Sequence, residues 1–300
     1  MTLRILAIFG LSMCLVACDS DDSGDSNPGS TGSSSAAEGN FVSAPDDGCL
    51  SMQIGEADVP HMGPGAGISG LVVDNQCNPL SGFKVLCCTD ESCVPTDTLA
   101  DGTFYLGGIM NEIPRKVRIV GVTQGYYDAL IYLAVSGDSL TVASKPIVLA
   151  PLSDYVTLGV EDGGTATLAE GQLEVTVAPG AMKYPLGHFT EELSAQRVDM
   201  SLVGPFDMTP WAERDGSMAF VFDPYEMKVE PSESGEDALT IAIHAEDHAP
   251  AGTVYDLWSA DTHYAHMVAA GTATVGDDGV IRVDAGHSIK ELQTLVIAPQ

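Results

Sequence analysis

The sequence predicts an all-β fold: two tandem β-sandwich domains that follow a signal peptide and a disordered acidic tether. Three observations predict it. Short runs rich in Val, Ile, Leu and Tyr recur at close spacing from Gly67 onward, broken by Gly, Asp, Asn and Pro, which is the punctuation of a β-sandwich. No long stretch shows helical periodicity. The first 47 residues differ from the rest, with an apolar run from Ile5 to Val16 and then a tract without a single Lys or Arg. The expected division is 1–17 leader, 18–47 tether, 48–151 first sandwich and 152–300 second sandwich.

Arg4, the apolar run and the small residue Ala17 follow the layout of a signal peptide. Twelve apolar-rich residues are too few for a spanning helix, which takes about 20. Leu15-Val16-Ala17-Cys18 resembles the lipobox of bacterial lipoproteins. The resemblance implies cleavage before Cys18, a diacylglyceryl thioether on its sulfur and a further acyl chain on its amine. Two or more chains anchor a protein durably, where one holds it only marginally. The expected location is the bacterial cell envelope, on the inner or outer membrane, with the folded part outside the cytoplasm. Residues 19–47 hold eight serines, four glycines and seven acids. That composition cannot bury a core, and as a coil it spans roughly 30 Å.

The net charge is −30, from 42 acidic and 12 basic residues. This excludes a nucleic-acid partner, whose phosphates need a basic surface, and direct adhesion to anionic headgroups. Of seven cysteines, Cys14 leaves with the leader and Cys18 takes the lipid. Cys49, Cys77, Cys87, Cys88 and Cys93 remain as disulfide candidates in an exported chain, which implies two bridges and one leftover thiol. Phe83–Cys88 reads as a strand, so Cys87 and Cys88 face opposite ways and do not bridge each other. Cys88 and Cys93 flank a tight loop and are expected to pair across it.

In the first sandwich, strands are expected at Gly67–Val73, Phe83–Cys88, Thr103–Leu106, Lys116–Thr123, Leu130–Val135 and Lys145–Leu149. Gly70-Leu71-Val72-Val73-Asp74, Asn78-Pro79-Leu80-Ser81-Gly82 and Asp101-Gly102-Thr103-Phe104 resemble the carboxypeptidase regulatory-like domain. That resemblance implies a transthyretin-like sandwich of seven strands without peptidase activity. Asp101-Gly102 supplies the turn, and Phe104 re-enters the core beyond it.

In the second, strands are expected at Gln172–Val177, Arg197–Val203, Met218–Phe222, Leu239–His244, Thr253–Trp258, Val280–Val283 and Thr294–Ile297. Leu173 to Met182, Phe222-Asp223-Pro224 and Gly286-His287-Ser288 resemble ZU5-like domains. Some of those cleave themselves at His-Phe-Ser. Here no Phe separates His287 from Ser288, so self-cleavage is not expected.

No metal or cofactor is expected. His244, Glu246 and His248 are the nearest approach to a metal set, sharing one face of a strand at spacing two. Asp101-Gly102 and Asp277-Asp278-Gly279 lack the spaced ligands of a calcium loop. No Gly-x-Ser-x-Gly elbow occurs. The expected role is a non-catalytic, membrane-anchored envelope module that binds or builds, its partner an envelope protein or polysaccharide. A carbohydrate-binding surface protein is the alternative, resting on Trp211, Trp258, Tyr126 and Tyr127 as stacking aromatics. A metal-assisted hydrolase at His244 and His248 is the second alternative.

Overall fold

The computed structural model describes residues 41–43, 45, 47–50, 52, 66–88, 92–109, 115–133, 139–185, 191–203, 214–230, 237–245, 249–263 and 266–300. Cys18, the leader and most of the tether lie outside the described residues, as do Trp211, Glu246 and His248.

The N-terminal module holds β1 (Ala66–Asp74), β2 (Lys84–Cys88), β3 (Cys93–Asp97), β4 (Thr103–Ile109), β5 (Arg115–Val120), β6 (Ala129–Leu133), β7 (Leu140–Val142) and β8 (Ile147–Leu149). One sheet centres on β1, which pairs antiparallel with β4 and parallel with β7 and β8; the other runs β3-β2-β5-β6. Val85 and Cys87 of β2, Val117 and Ile119 of β5 and Ile131 of β6 meet Ile68, Val72, Phe104 and Leu106 in one core. Phe104 is 1 % exposed, and Gly102 takes φ +78° in the turn before it. A Cβ on Gly102 would lie 2.6 Å from the Val72 carbonyl oxygen, so both the turn and the space require glycine. Asp74 closes the preceding turn by accepting from the backbone N–H groups of Gln76 and Asn78.

The disulfides are Cys49–Cys77 and Cys88–Cys93. Cys88 and Cys93 are opposite residues of β2 and β3. Cys87 faces the core and keeps its thiol.

The C-terminal module holds β9 (Val156–Thr157), β10 (Gly164–Leu168), β11 (Leu173–Val177), β12 (Met182–Lys183), β13 (Glu192–Val198), β14 (Met218–Asp223), β15 (Met227–Val229), β16 (Leu239–Ile243), β17 (Val254–Asp261), β18 (His266–Val275), β19 (Ile281–Val283), β20 (Glu291–Leu292) and β21 (Thr294–Pro299). Ten strands form one hydrogen-bonded sheet, in the order β10-β11-β16-β19-β18-β17-β21-β14-β13-β9. The sheet curls until β9 lies near β10, and its inner face encloses a single core. β12, β15 and β20 make a small separate sheet. Strict alternation in β11 and β16 points Leu173, Val175, Val177, Leu239, Ile241 and Ile243 inward.

Three departures from the expected strands have local causes. The strand expected over Arg197–Val203 runs instead over Glu192–Val198. Asp199 ends it, accepting from the Ser201 N–H at 2.8 Å to cap the 3-10 turn Met200–Leu202. Lys116–Thr123 stops at Val120, where a second 3-10 turn, Val122–Gln124, begins. β18, ten residues long, was not expected, because its Ala- and Gly-rich sequence lacks β-branched alternation. A register shift opposite Leu257 and Trp258 leaves Gly271 at φ +136°.

The stretch assigned to the tether also ends earlier than expected. Val42 is 7 % exposed and pairs with β13: its N–H donates to Arg197 and its carbonyl accepts from Asp199. Phe41-Val42 is an apolar pair inside a polar tract, and Val42 joins a cluster with Tyr127, Ala150, Val198, Val221, Trp258 and Val296. This cluster is the seam between the modules. The connecting segment is bonded on both sides. Tyr127 N–H donates to the Ala150 carbonyl, and Ser153 Oγ donates to the Ala195 carbonyl at 2.9 Å. Tyr127 Oη lies 2.6 Å from Ser153 Oγ and 2.7 Å from Ser194 Oγ. Tyr127→Phe removes that shared hydroxyl but leaves the two serines to each other, so it is expected to cost about 1–2 kcal/mol. Urea denaturation checks this; an unchanged midpoint would show that the hydroxyl does not hold the seam.

Candidate functional site

The structure does not gather the sequence-predicted candidates. His244 is exposed just past the end of β16, its backbone N–H bonded to the Gln172 carbonyl. Among the described residues no group of three or more His, Cys, Asp or Glu is placed to hold a metal. Asp101 spends its carboxylate on the Thr103 N–H and hydroxyl, which hold it below the usual carboxylate range. Asp278 is paired in bidentate fashion with Arg282. His287 Nε2 bonds the Leu239 carbonyl at 2.8 Å, and its Nδ1 accepts from Ile289, so the ring is held by backbone.

The expected aromatic platform is not formed by the described residues. Tyr127 and Trp258 are buried in the seam, and Tyr126 packs edge-on against Phe83 at 5.6 Å. Tyr127 goes inward because the Val122–Gln124 turn and Gly125, at φ +82°, reverse the chain just before it.

The recess the fold does build lies where the modules meet. Two chambers, about 570 and 400 Å³, share Arg118, Tyr225, Glu226 and Lys228. The larger adds Lys183, Tyr184, Pro185, Asp223 and Pro224. The smaller adds Lys116, Thr262, His263, Glu291 and the Cys88–Cys93 corner. β5 of the N-terminal module supplies Lys116 and Arg118; the turn between β14 and β15 supplies Pro224, Tyr225 and Glu226. Glu226 sits at φ +62°, a conformation that costs a non-glycine residue energy and that recurs at functional sites.

Arg118 is the centrepiece. Its Nε donates to Asp128 Oδ2 at 2.7 Å, and its guanidinium lies 3.7 Å over the Tyr225 ring. Asp128 is buried and also accepts from the Gly121 and Val122 N–H groups, which fixes the pair to the backbone. Lys116 reaches Glu226 at 3.4 Å across the seam. Among the described residues, four basic side chains, Lys116, Arg118, Lys183 and Lys228, line the two chambers beside three acidic ones, Asp223, Glu226 and Glu291. One third of the chain's 12 basic residues therefore gather at one place on an acidic protein. Composition hid this, since the net charge averages over the chain. The available signal was the scarcity of lysine, with Lys183 and Lys228 each beside a buried methionine.

Burial, reinforced by Glu191 and Glu192, pushes the Tyr184 phenol up to about 12, and burial foremost also raises Tyr225 and Tyr155. For Tyr184 the folded value exceeds the ordinary 10.0, so between these values the native state keeps a proton that the unfolded state has lost. Stability is undiminished below pH 10 and falls as pH climbs through about 12. Absorbance at 295 nm should show a group of the nine tyrosines titrating only as the fold is lost. Full titration of all nine near pH 10 with the fold intact would contradict it.

No protein-family profile matches the chain, and no curated protein matches it. Among solved structures, a candidate carbohydrate binding protein from Bacteroides uniformis shares 10 % identity at TM-score 0.24, covering 79 % of this chain and 80 % of that one. The Bacillus anthracis TIE protein shares 11 % identity at TM-score 0.26, over 79 % of this chain and 48 % of that one. A DUF3823 family protein from Bacteroides ovatus shares 10 % identity at TM-score 0.24, over 79 % and 81 %. Likenesses this slight carry neither fold nor function.

Proposed function

We propose that this chain is a lipid-anchored cell-envelope protein whose two β-modules, 48–151 and 152–300, form one binding body without catalytic chemistry. The observation that carries the binding reading is the seam: an apolar cluster joins the modules and leaves a recess lined by side chains from both. A spacer would need no such recess. The two disulfides suit an exported chain, and the Leu15-Val16-Ala17-Cys18 lipobox supplies the anchor. The first module is read as carboxypeptidase regulatory-like and the second as ZU5-like, on the motifs quoted above.

The test is detergent partitioning of the full chain expressed with its own leader in a bacterium. The wild type should enter the detergent phase with a mass beginning at acylated Cys18, and Cys18→Ala should remain in the aqueous phase. A wild type that stays aqueous and carries no acyl mass would refute the anchor.

A further inference from the structure

The seam recess has a feature that a merely structural junction would avoid. Lys183 of β12 and Lys228 of β15 are directly opposite residues of one antiparallel pair, and both line the larger chamber. Like charges placed opposite each other destabilise a sheet, and a chain with so many acids had ample means to separate them. Their neighbours offset this only in part. Lys228 also faces Glu291 on β20, whose carboxylate accepts from the Thr262 N–H at 2.8 Å and the Thr262 hydroxyl and makes no ion pair with Lys228. Among the described residues Lys183 reaches exposed Glu230, at 3.7 Å, a contact of small value in water. Lys228 has no ion-pair partner among the described residues. At the junction of the two chambers, Tyr225 is 4 % exposed, and its hydroxyl has no hydrogen-bond partner among the described residues. A buried orphan hydroxyl is costly to a fold, and it marks the same place as the lysine pair.

We propose that the recess binds a short carboxylated saccharide, its carboxylate held between Lys183 and Lys228. This rests on the binding reading above and names the ligand class. The ligand must be short. At a net charge of −30 the protein repels a long polyanion, whereas one carboxylate inside the recess lies within the screening length of about 8 Å. The donors also argue against a bare phosphate. Among the described residues the arginine fork in the recess, Arg118, is committed to Asp128, which leaves lysine point charges in place of a planar bidentate clamp. Glu226 supplies an acceptor for sugar hydroxyls, and Tyr184, Pro185 and Pro224 supply apolar wall.

The test is calorimetric titration of the full chain in detergent with trigalacturonic acid, maltotriose and inorganic phosphate as separate probes. Trigalacturonic acid should bind, more weakly as salt rises, and maltotriose should not. Lys228→Gln should weaken trigalacturonate binding by about tenfold or more, the loss of one charged hydrogen bond. The same variant should keep or slightly raise the melting temperature, because it relieves a like-charge pair. Four results would each overturn the proposal: equal binding of maltotriose, competition by phosphate at equal concentration, an unchanged affinity in Lys228→Gln, or no heat from trigalacturonate. None of them bears on detergent partitioning, so the anchoring reading stands or falls separately.

Discussion

Trp258→Ala is expected to destabilise the protein by about 3–5 kcal/mol, the range for truncating a buried tryptophan. Trp258 is 9 % exposed and belongs to the seam cluster, with Arg214 5.6 Å over its ring. Arg214 is in turn paired with Asp256 at 2.6 Å, on the same strand as Trp258. For a body of this size the melting temperature should fall by roughly 10 °C. The shape of the transition matters more than the shift. If the seam fuses the modules, the wild type melts once in a calorimeter and the variant melts in two steps, as each module is left to its own core. A loss below about 1 kcal/mol with a single sharp transition would mean that the seam is a loose contact.

Removing the Cys49–Cys77 bridge, as Cys49→Ala with Cys77→Ala, should cost about 3–4 kcal/mol. Its sequence separation is 28 residues, against 5 for Cys88–Cys93. Loop-closure entropy then gives the shorter bridge only about 2 kcal/mol. The order is the prediction: the first double variant should unfold at distinctly lower urea than the corresponding Cys88 and Cys93 variant. An equal or reversed order would show that native packing, not chain entropy, sets the value of these bridges.

The parts of this fold that the sequence shows are those with local causes. Near-alternation exposed β16 and β17, and the Asp101-Gly102 turn placed Phe104 in the core. Cys88–Cys93 was legible because a short loop brings the two together on paired strands. Cys49–Cys77 was not, since spacing does not determine connectivity at longer range. β18 escaped notice because a strand held between two neighbours, β17 and β19, needs little intrinsic propensity. The recess was the least legible part. Lys183 and Lys228 are opposite each other only through the register of two very short strands. Arg118 and Tyr225 meet only because the modules dock. The candidates that did stand out in the sequence, the histidines and adjacent tyrosines, are side chains whose chemistry is conspicuous but whose places in the fold are ordinary.

The Val42 strap and the Cys49–Cys77 bridge together decide how the molecule bears tension. If the chain is anchored at Cys18 as proposed, a pull along it would first reach the two backbone hydrogen bonds that join Val42 to Arg197 and Asp199. Beyond them it meets the sulfur bridge, which passes the load across to Cys77. Residues 50–76, and with them all of β1, lie within a closed covalent ring and outside the line of force. β1 is the strand on which β4, β7 and β8 all depend. A pull on the proposed anchor would therefore strip the strap from the C-terminal module while the N-terminal sandwich keeps its central strand. The strap is the part that yields, and it can re-form once the strain is released.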